Sequence, residues 1–287
     1  MSVAGLAIVS GASSGIGWHV ARLLLAREFT VLAIARDAAR LRSARDAMGD
    51  AGPRYCPVAL DVRDGAALRE ACAGAIARHG APRWVVASAG IARPGRFLDI
   101  PPDEHEGAFR TNYLGSLHLA QACLPAMVRA RGGRLVFVSS AAALGTFYGF
   151  TAYAPSKLAL RALGDGLALE MAPHGVGVTT VFPPDTDTPQ LEAEMAHRPP
   201  VARAYLRGAP VLAPEAVARA LLDGAAAGRR HVTPGLGPTL LHRFPRIADW
   251  IGRRRQARLA AVLDAPDPRE GGGTARKPVG HQTVLKK

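Results

Sequence analysis

Short apolar runs alternate with longer helical segments along most of this chain, and this alternation restricts the fold more than any other feature. The apolar runs predict strands at 6–10, 30–35, 55–61, 84–87, 135–139, 176–182 and 231–233, and helical segments lie between them at 18–27, 66–79, 104–131, 156–171 and near 214–228. Strands that alternate with helices build βαβ units, whose parallel strands are buried on both faces. We therefore predict an α/β fold: a single domain with a Rossmann-type doubly wound, seven-stranded parallel sheet.

The composition changes after residue 234, where the predicted domain 1–234 ends. From 235 to 264 large apolar side chains are interleaved with arginines, and from 265 to 287 the chain is a polar tail rich in proline and glycine, which we expect to be disordered. Apolar side chains interleaved with arginines are typical of a segment that lies in a membrane interface. The alternative is a helix that packs on the domain or on a second copy of the chain.

The chain is strongly basic, with a formal net charge of +13 and a pI of about 10.7. Almost all of the positive charge is arginine, and we expect no nucleic-acid partner because no recognition motif accompanies it. Three scattered cysteines, and nine histidines without ligand spacing, predict neither a disulfide framework nor a metal site. No basic segment precedes the first strand and no apolar run reaches about 18–20 residues, so we expect a cytoplasmic protein, at most peripheral on the inner face of a membrane.

A glycine-rich turn directly follows the first predicted strand and opens a helix. It reads Ser10-Gly11-Ala12-Ser13-Ser14-Gly15-Ile16-Gly17. Glycines permit a tight turn and let the backbone approach a pyrophosphate, while the helix N-terminus offers free N–H groups and a favourable dipole. The predicted phosphate-binding residues are Gly11, Ser13, Ser14, Gly15, Ile16 and Gly17.

The end of the second strand indicates which dinucleotide binds. A dinucleotide fold usually places an acid here for the ribose hydroxyls, whereas this chain reads Ala35-Arg36-Asp37. A guanidinium pairs with a phosphate in a fork geometry, so Arg36, assisted by Arg40, favours the 2′-phosphate of NADPH/NADP. Two alternatives stay open: Arg36 is a solvated side chain at a strand end, or Asp37 binds the ribose of NAD.

Two further strand ends should reach the nucleotide, because ligands of open α/β sheets bind outside the carboxyl ends of the strands. Asp61 and Val62 follow the third strand and are placed to meet the adenine. Ala89 and Gly90 follow the fourth strand, and we expect them near the adenosine ribose.

Tyr153 and Lys157 lie four residues apart at the start of a predicted helix, which places them on one face of it. A tyrosine with its ordinary pKa of about 10 exchanges protons poorly at neutral pH unless its phenolate is stabilised. A cation one turn away, together with an oxidised nicotinamide, would lower that pKa. We therefore predict that Tyr153 transfers the proton with Lys157 as its partner, both in contact with the cofactor.

Two more polar side chains complete the predicted catalytic set. Ser140, just past the fifth strand, should hydrogen-bond and orient the substrate oxygen, with Ser139 as the alternative. Asn112, inside a helix, should hold a water that links Lys157 to solvent.

The chain resembles the short-chain dehydrogenase/reductase family from its first strand to about Pro189. The residues that carry the likeness are Gly11, Gly15, Gly17, Asn112, Ser140, Tyr153 and Lys157. The resemblance implies an NADP-dependent oxidoreductase that acts on a carbonyl or alcohol carbon, and a homo-oligomer joined through the helices that flank Asn112 and Tyr153. Serine stands at Ser10 and Ser88, where the family usually has threonine and asparagine, and we expect both changes to remove hydrogen bonds that support neighbouring loops.

Two stretches resemble a narrower group within that family, the 3-ketodihydrosphingosine reductases. They are Gly149-Phe150-Thr151-Ala152-Tyr153 and Pro183-Pro184-Asp185-Thr186-Asp187-Thr188-Pro189. The resemblance implies a small lipophilic keto substrate, the 3-ketone of a long-chain sphingoid base, in sphingolipid synthesis. Pro183 and Thr188 would border the nicotinamide, and Asp185 and Asp187 either face the substrate ammonium or cap the following helix.

Two other functions stay open at this stage. One is the reduction of another lipophilic ketone or of a 3-ketoacyl compound. The other is a nucleotide-sensing scaffold without catalysis, against which the complete set of Asn112, Ser140, Tyr153 and Lys157 argues.

Overall fold

The first strand is buried along its whole length, as expected at the centre of a parallel sheet. The computed structural model describes residues 4–264. Its strands are β1 (Leu6–Ser10), β2 (Thr30–Ala35), β3 (Tyr55–Ala59), β4 (Pro82–Ala87), β5 (Arg134–Val138), β6 (Gly177–Val181) and β7 (His231–Val232). They form one parallel sheet in the order β3-β2-β1-β4-β5-β6-β7. This confirms the predicted doubly wound fold, and it places a crevice where the strand order reverses, between β1 and β4.

Helices cover both faces of the sheet. They are α1 (Gly15–Ala26), α2 (Ala38–Asp46), α3 (Gly65–His79), α4 (Pro102–Phe109), α5 (Gly115–Arg129), α6 (Ala154–Met171), α7 (Pro189–His197), α8 (Pro200–Leu206), α9 (Pro214–Ala226), α10 (Leu236–Arg243) and α11 (Pro245–Leu263). Two apolar cores result, one that includes Leu24 of α1 and Leu221 of α9, the other Leu119 of α5 and Leu160 of α6. Each of these fully buried leucines contributes roughly 1.5–3 kcal/mol, which holds the strand ends in place.

The helix predicted at 104–131 is interrupted by a wider turn. A π-helical turn at Arg110–Leu114 joins α4 to α5, and it contains Asn112. Such π-turns are frequent at functional sites, but periodicity does not reveal one because the apolar pattern continues through it. Helices α2 and α8 were not predicted, since each is short and its helical propensity is weak without tertiary contacts.

The C-terminal segment packs on the domain with one face of α11. Gln256 is buried; its Nε2 donates to the carbonyl of Thr146 at 2.8 Å and its Oε1 accepts from the N–H of Tyr148 at 2.6 Å. Gly252, one turn earlier, lies against Tyr205 of α8, where an added Cβ would be 2.9 Å from the tyrosine hydroxyl. The segment is thus attached to the loop that leads into α6. The predicted tail at 265–287 lies outside the described residues.

Between residues 4 and 264, we find no helix whose length and apolar character would let it cross a bilayer.

Candidate active site

A cavity of about 670 Å³ opens at the carboxyl ends of the strands. Sixteen of the predicted site residues line it: Gly11, Ser13, Ser14, Gly15, Ile16, Gly17, Arg36, Arg40, Val62, Ala89, Gly90, Ser140, Tyr153, Lys157, Pro183 and Thr188. Asp61 and Asn112 do not line the cavity. The topology therefore brings most of the predicted residues to one place.

The glycine turn packs closely against neighbouring backbone. Gly11 has φ +68°, in the left-handed region, and a Cβ there would lie 2.8 Å from the backbone nitrogen of Ala89. A Cβ on Gly17 would lie 2.3 Å from the carbonyl oxygen of Gly11. Only glycine fits at either position, which lets the turn lie against the loop after β4 and the start of α1 lie against the turn.

The N-terminus of α1 is not capped by a side chain. Ser14 occupies the N-cap position without a capping hydrogen bond, and no acidic residue lies in the first turn. The neighbouring helices α2 and α3 are instead capped by Asp37 and Asp64. The first N–H groups and the positive dipole end of α1 are therefore available, which fits the pyrophosphate of a dinucleotide.

Ser10 makes hydrogen bonds to a neighbouring loop. We had predicted that serine, in place of the threonine usual in the family, would remove them. Its Oγ accepts from the backbone N–H groups of Ser88 and Ala89, each at 3.2 Å. The prediction for Ser10 was wrong because the hydroxyl, which serine shares with threonine, makes both bonds. They tie the turn after β1 to the loop after β4.

Arg36, Asp37 and Arg40 all line the cavity at the end of β2. The Asp37 carboxylate accepts from the N–H groups of Ala39 and Arg40 at 2.9 and 3.0 Å, and these bonds, that from Arg40 first, lower its pKa. Asp37 is thus engaged as the cap of α2. Arg40 also forms an ion pair with Asp37, with its Nε 3.6 Å from the carboxylate, whereas the exposed Arg36 guanidinium lines the cavity.

Asp61 does not line the cavity, and its place beside the adenine stays a prediction. Its carboxylate pairs with the Arg63 guanidinium at 2.7 Å and accepts from the Arg63 N–H at 2.9 Å. Val62, the next residue, lines the cavity.

Tyr153 lies in the cavity wall at the start of α6 and is 7% exposed. Burial raises its pKa, the negative charge of Glu194 raises it further, and the Ser140 hydroxyl lowers it. The net shift is opposite to the lowering that the sequence predicted. Burial wins because the ring packs against Phe150 in an apolar cluster.

Lys157 is buried one turn along α6, with its Nζ 5.6 Å from the centre of the Tyr153 ring. The ammonium donates to the carbonyl of Val138 at 2.9 Å. Burial lowers its pKa to about 8, and the Glu194 charge opposes that shift. The side chain therefore remains mostly protonated at neutral pH, next to the tyrosine.

The two serines after β5 have different partners. The Ser139 hydroxyl donates to the carbonyl of Lys157 at 2.8 Å and is buried. The Ser140 Oγ accepts from the N–H of Ala142 at 3.1 Å, and its hydroxyl interacts with Tyr153, whose pKa it lowers. Ser140 thus lies beside the tyrosine in the cavity wall, whereas Ser139 positions α6.

Asn112 lies behind the cavity wall and is fully buried. Its Nδ2 donates to the carbonyl of Ile91 at 3.0 Å and to the Ser156 hydroxyl at 2.9 Å, while its Oδ1 accepts from the Ile91 N–H at 2.8 Å. Ser156 in turn donates to the carbonyl of Tyr153 at 2.7 Å. The side chain connects the loop after β4 to the start of α6, and the water that Asn112 was predicted to hold stays a prediction.

The loop after β6 carries the two carboxylates that we predicted either to face the substrate ammonium or to cap the following helix. Thr188, not an aspartate, caps α7 by accepting from the N–H of Leu191. Asp187 is exposed, and Asp185 lines the cavity but is held by both terminal nitrogens of Arg198 at 2.7 Å. Neither aspartate caps the helix, and the charge of Asp185 is balanced.

Sequence reasoning missed Glu194 and Arg198, which are 7% and 2% exposed. Glu194 of α7 lines the cavity, and its carboxylate accepts from Gln190 at 2.9 Å and lies 3.6 Å from the Arg198 guanidinium. Burial raises the pKa of Glu194. No motif marks either residue, because α7 reaches the site only through the path of the preceding loop.

Large apolar side chains form another part of the cavity wall. We call this part the apolar chamber; its wall includes Phe147, Phe150, Leu206, Leu212, Leu236 and Leu241. These side chains come from the loop before α6, from α8, from the segment between α8 and α9, and from α10. They were not predicted as a group because they lie far apart in the chain.

Residues suited to dinucleotide binding and to proton transfer line this one cavity: the glycine turn, Arg36 and Arg40, together with the buried Tyr153 and Lys157. This arrangement defines an oxidoreductase of the Rossmann class.

The family model for short chain dehydrogenases matches residues 5–199, and the chain belongs to that family. It is similar to a 3-dehydrosphinganine reductase of Danio rerio, with 33% identity over 237 residues that cover 80% of this chain and 70% of the relative. A crystal structure of a short-chain dehydrogenase from Streptomyces avermitilis is 26% identical, with a TM-score of 0.75, and the match covers 91% of this chain and 98% of that one. The structure of ElxO with NADP bound shares the fold at 21% identity and a TM-score of 0.72, over 80% of this chain and 96% of that one.

Proposed function

We propose that the protein is an NADPH-dependent reductase of 3-ketodihydrosphingosine (3-ketosphinganine), which it converts to dihydrosphingosine in sphingolipid synthesis. One observation carries the proposal: Tyr153 lines the same cavity as the glycine turn and packs against Phe150 of the apolar chamber. A ketone with a long alkyl chain would place its carbonyl at the tyrosine and its chain in the chamber. The name of the Danio rerio relative supports this substrate class.

The arginines at the end of β2 support NADPH over NADH. Arg36 and Arg40 line the cavity, and Asp37 is occupied as a helix cap rather than free for a ribose. A guanidinium binds a phosphate with charge-assisted hydrogen bonds, whereas it gains little from a ribose hydroxyl. The NADP in the ElxO structure agrees with this choice.

The proposed reaction moves a hydride and a proton to opposite ends of the carbonyl bond. The bound nicotinamide supplies the hydride to the carbonyl carbon. Ser140 donates a hydrogen bond to the substrate oxygen, Tyr153 transfers its phenolic proton to that oxygen, and the Lys157 ammonium stabilises the phenolate that results. Asn112 and Ser139 position the helix that carries both groups.

A second candidate, the reduction of another lipophilic ketone or a 3-ketoacyl compound, uses the same chamber and the same four residues. A substrate panel separates the two candidates. We expect 3-ketosphinganine to give a kcat/KM at least about tenfold above that of a 3-ketoacyl thioester with NADPH, because buried polar groups discriminate strongly. Turnover of the thioester alone would assign the second candidate instead.

A tyrosine variant separates catalysis from a nucleotide-sensing role. Tyr153→Phe should lower kcat by about 100- to 10,000-fold, the usual effect of losing a general acid, and leave NADPH affinity within about twofold, since little binding energy depends on one hydroxyl. Tyr148→Phe is the matched control, because its hydroxyl bonds Asp264 outside the cavity. An unchanged rate in the Tyr153 variant would contradict the mechanism.

We also propose that the enzyme contacts an anionic membrane through its C-terminal segment. The C-terminal apolar face consists of Leu236, Leu240, Phe244, Ile247, Trp250 and Ile251, which are 45–74% exposed. Arginines lie between them, and Arg254 stacks on the Trp250 ring at 4.1 Å. Because Leu236 also lines the cavity, a lipid substrate would have a short path from the membrane to the chamber. The predicted homo-oligomer stays a prediction.

A further inference from the structure

Glu194 is a buried carboxylate in the wall of the cavity, which also contains the apolar chamber. Its two oxygens have different partners: one accepts from the Gln190 amide at 2.9 Å, and the other lies 3.6 Å from the Arg198 guanidinium. A carboxylate that is 7% exposed normally needs a full ionic partner. The cation near Glu194, the Arg198 guanidinium, is shared with Asp185.

The local charges leave Glu194 incompletely balanced. Arg198 makes a two-pronged pair with Asp185 at 2.7 Å, so its geometry favours that carboxylate. Lys157 faces the same region from α6, but its ammonium bonds the Val138 carbonyl, and no ion pair within 4 Å joins it to Glu194 in residues 4–264. With both carboxylates ionised, the cluster of Asp185, Glu194 and Arg198 carries one net negative charge beside the chamber, and burial, which raises the pKa of Glu194, makes that charge costly without a further cation.

The field of Glu194 reaches the reacting groups. Burial is the main cause of the raised pKa of Tyr153, and the charge of Glu194 raises that pKa further. The same charge opposes the lowering of the Lys157 pKa by burial. A carbonyl oxygen bonded to Tyr153 would bring the next carbon of the substrate into the same region. A positive group on that carbon would balance Glu194 and relieve its repulsion of the phenolate.

We infer that Glu194 is the specificity-determining residue that binds an ammonium group on the carbon next to the reacting carbonyl. This inference rests on the proposed function and deepens it: the enzyme selects 2-amino ketones over plain long-chain ketones. The aspartates of the loop after β6 are unsuited to this role, because Asp185 is paired with Arg198 and Asp187 is exposed outside the cavity wall.

The test compares two substrates in three proteins. The substrates are 3-ketosphinganine and the same hydroxyketone with hydrogen in place of the amino group, and the proteins are the wild type, Glu194→Gln and Glu192→Gln. Glutamine keeps the size and the Gln190 hydrogen bond of Glu194, whereas Glu192 is exposed on the same helix and does not line the cavity. We expect Glu194→Gln to lower kcat/KM for the amino ketone by about 10- to 100-fold, mainly through KM, and to change that for the amine-free ketone by less than about threefold.

Equal losses for both ketones would overturn the inference, since a purely structural role does not distinguish the two substrates. A binding measurement makes the test independent of turnover. A long-chain alkylamine should bind the wild type and Glu192→Gln more tightly than the alcohol of equal chain length, and Glu194→Gln should lose that difference. If the wild type binds the amine no more tightly than the alcohol, the inference fails even in an active enzyme. If it binds the amine more tightly but does not reduce 3-ketosphinganine, the proposed reaction fails and the ammonium site stands.

Discussion

Arg36 and Asp37 are neighbours with opposite charges, and their side chains serve different purposes. Asp37 caps α2, and its hydrogen bonds from backbone N–H groups, that of Arg40 first, hold its pKa below the ordinary range. Arg36 is exposed in the cavity wall. One residue therefore stabilises the helix while the other is left for the ligand.

Removing the Arg36 side chain should change cofactor preference. We expect Arg36→Ala to weaken NADPH by about 10- to 100-fold, the strength of a charge-assisted contact, and NADH by less than about threefold, since NADH lacks the 2′-phosphate. Arg42→Ala is the matched control, because Arg42 lies on α2 outside the cavity wall. Fluorescence titration with both nucleotides measures the effect, and equal losses for the two would remove the phosphate assignment.

Helix α10 contributes Leu236 and Leu241 to the cavity and is attached to the domain through a chain of side chains. His242 Nε2 lies 2.8 Å from His231 Nδ1, and His231 Nε2 lies 2.7 Å from an oxygen of Asp165. Burial lowers the pKa of His242, and the neighbouring His231 and Arg161 lower it further. The folded protein thus favours a neutral His242.

This linkage predicts that the attachment of α10 weakens in acid. The pKa of His242 in the folded protein lies below its ordinary value of 6.5, so the unfolded chain binds the proton more strongly. The stabilisation that neutral His242 gives the folded protein is therefore complete above pH 6.5. It is lost as the pH falls through the folded pKa. The hydrogen-exchange protection factors of residues 236–243, which correct for the intrinsic pH dependence of exchange, should fall between about pH 7 and pH 5. His242→Gln, which does not titrate, should flatten this dependence, whereas His79→Gln, at the exposed end of α3, should keep it. An identical loss of protection in all three proteins would show that His242 is not responsible.

For the whole molecule, charge and exposed apolar surface occur together. The net charge is +13, and the C-terminal apolar face lies on helices that are themselves rich in arginine. An anionic bilayer satisfies both properties, because the headgroups attract the arginines and the interface accepts the apolar side chains. The opposite face of α11 is used for packing on the domain.

The full chain should float with anionic vesicles at low salt and much less at high salt or with zwitterionic vesicles. Replacing both Ile247 and Trp250 with serine should reduce vesicle affinity at least about tenfold, given roughly 1.5–3 kcal/mol for each fully buried large side chain. Leu169→Ser is the control, since Leu169 is exposed on α6. Absence of flotation would contradict the proposal, and a dimer that dissociates in the double variant would assign the face to a second copy.

The amino-acid sequence by itself determined the doubly wound sheet, the glycine turn and the pairing of Tyr153 with Lys157. These features depend on contiguous residues, because strand and helix periods, positive φ at Gly11 and the spacing of one helical turn are local properties. Membership of the family also follows from them, since the matching motifs lie in the turns after the strands.

Tertiary structure alone decided which charged and apolar groups share the cavity. Asp185 is paired because Arg198 folds back onto it, Glu194 faces inward because α7 follows that loop, and Asn112 is bonded to Ser156 across two helices. The C-terminal helices complete the chamber from a distance of about a hundred residues. Such contacts depend on how separate elements pack, and packing energies are shared among many residues that no local pattern connects.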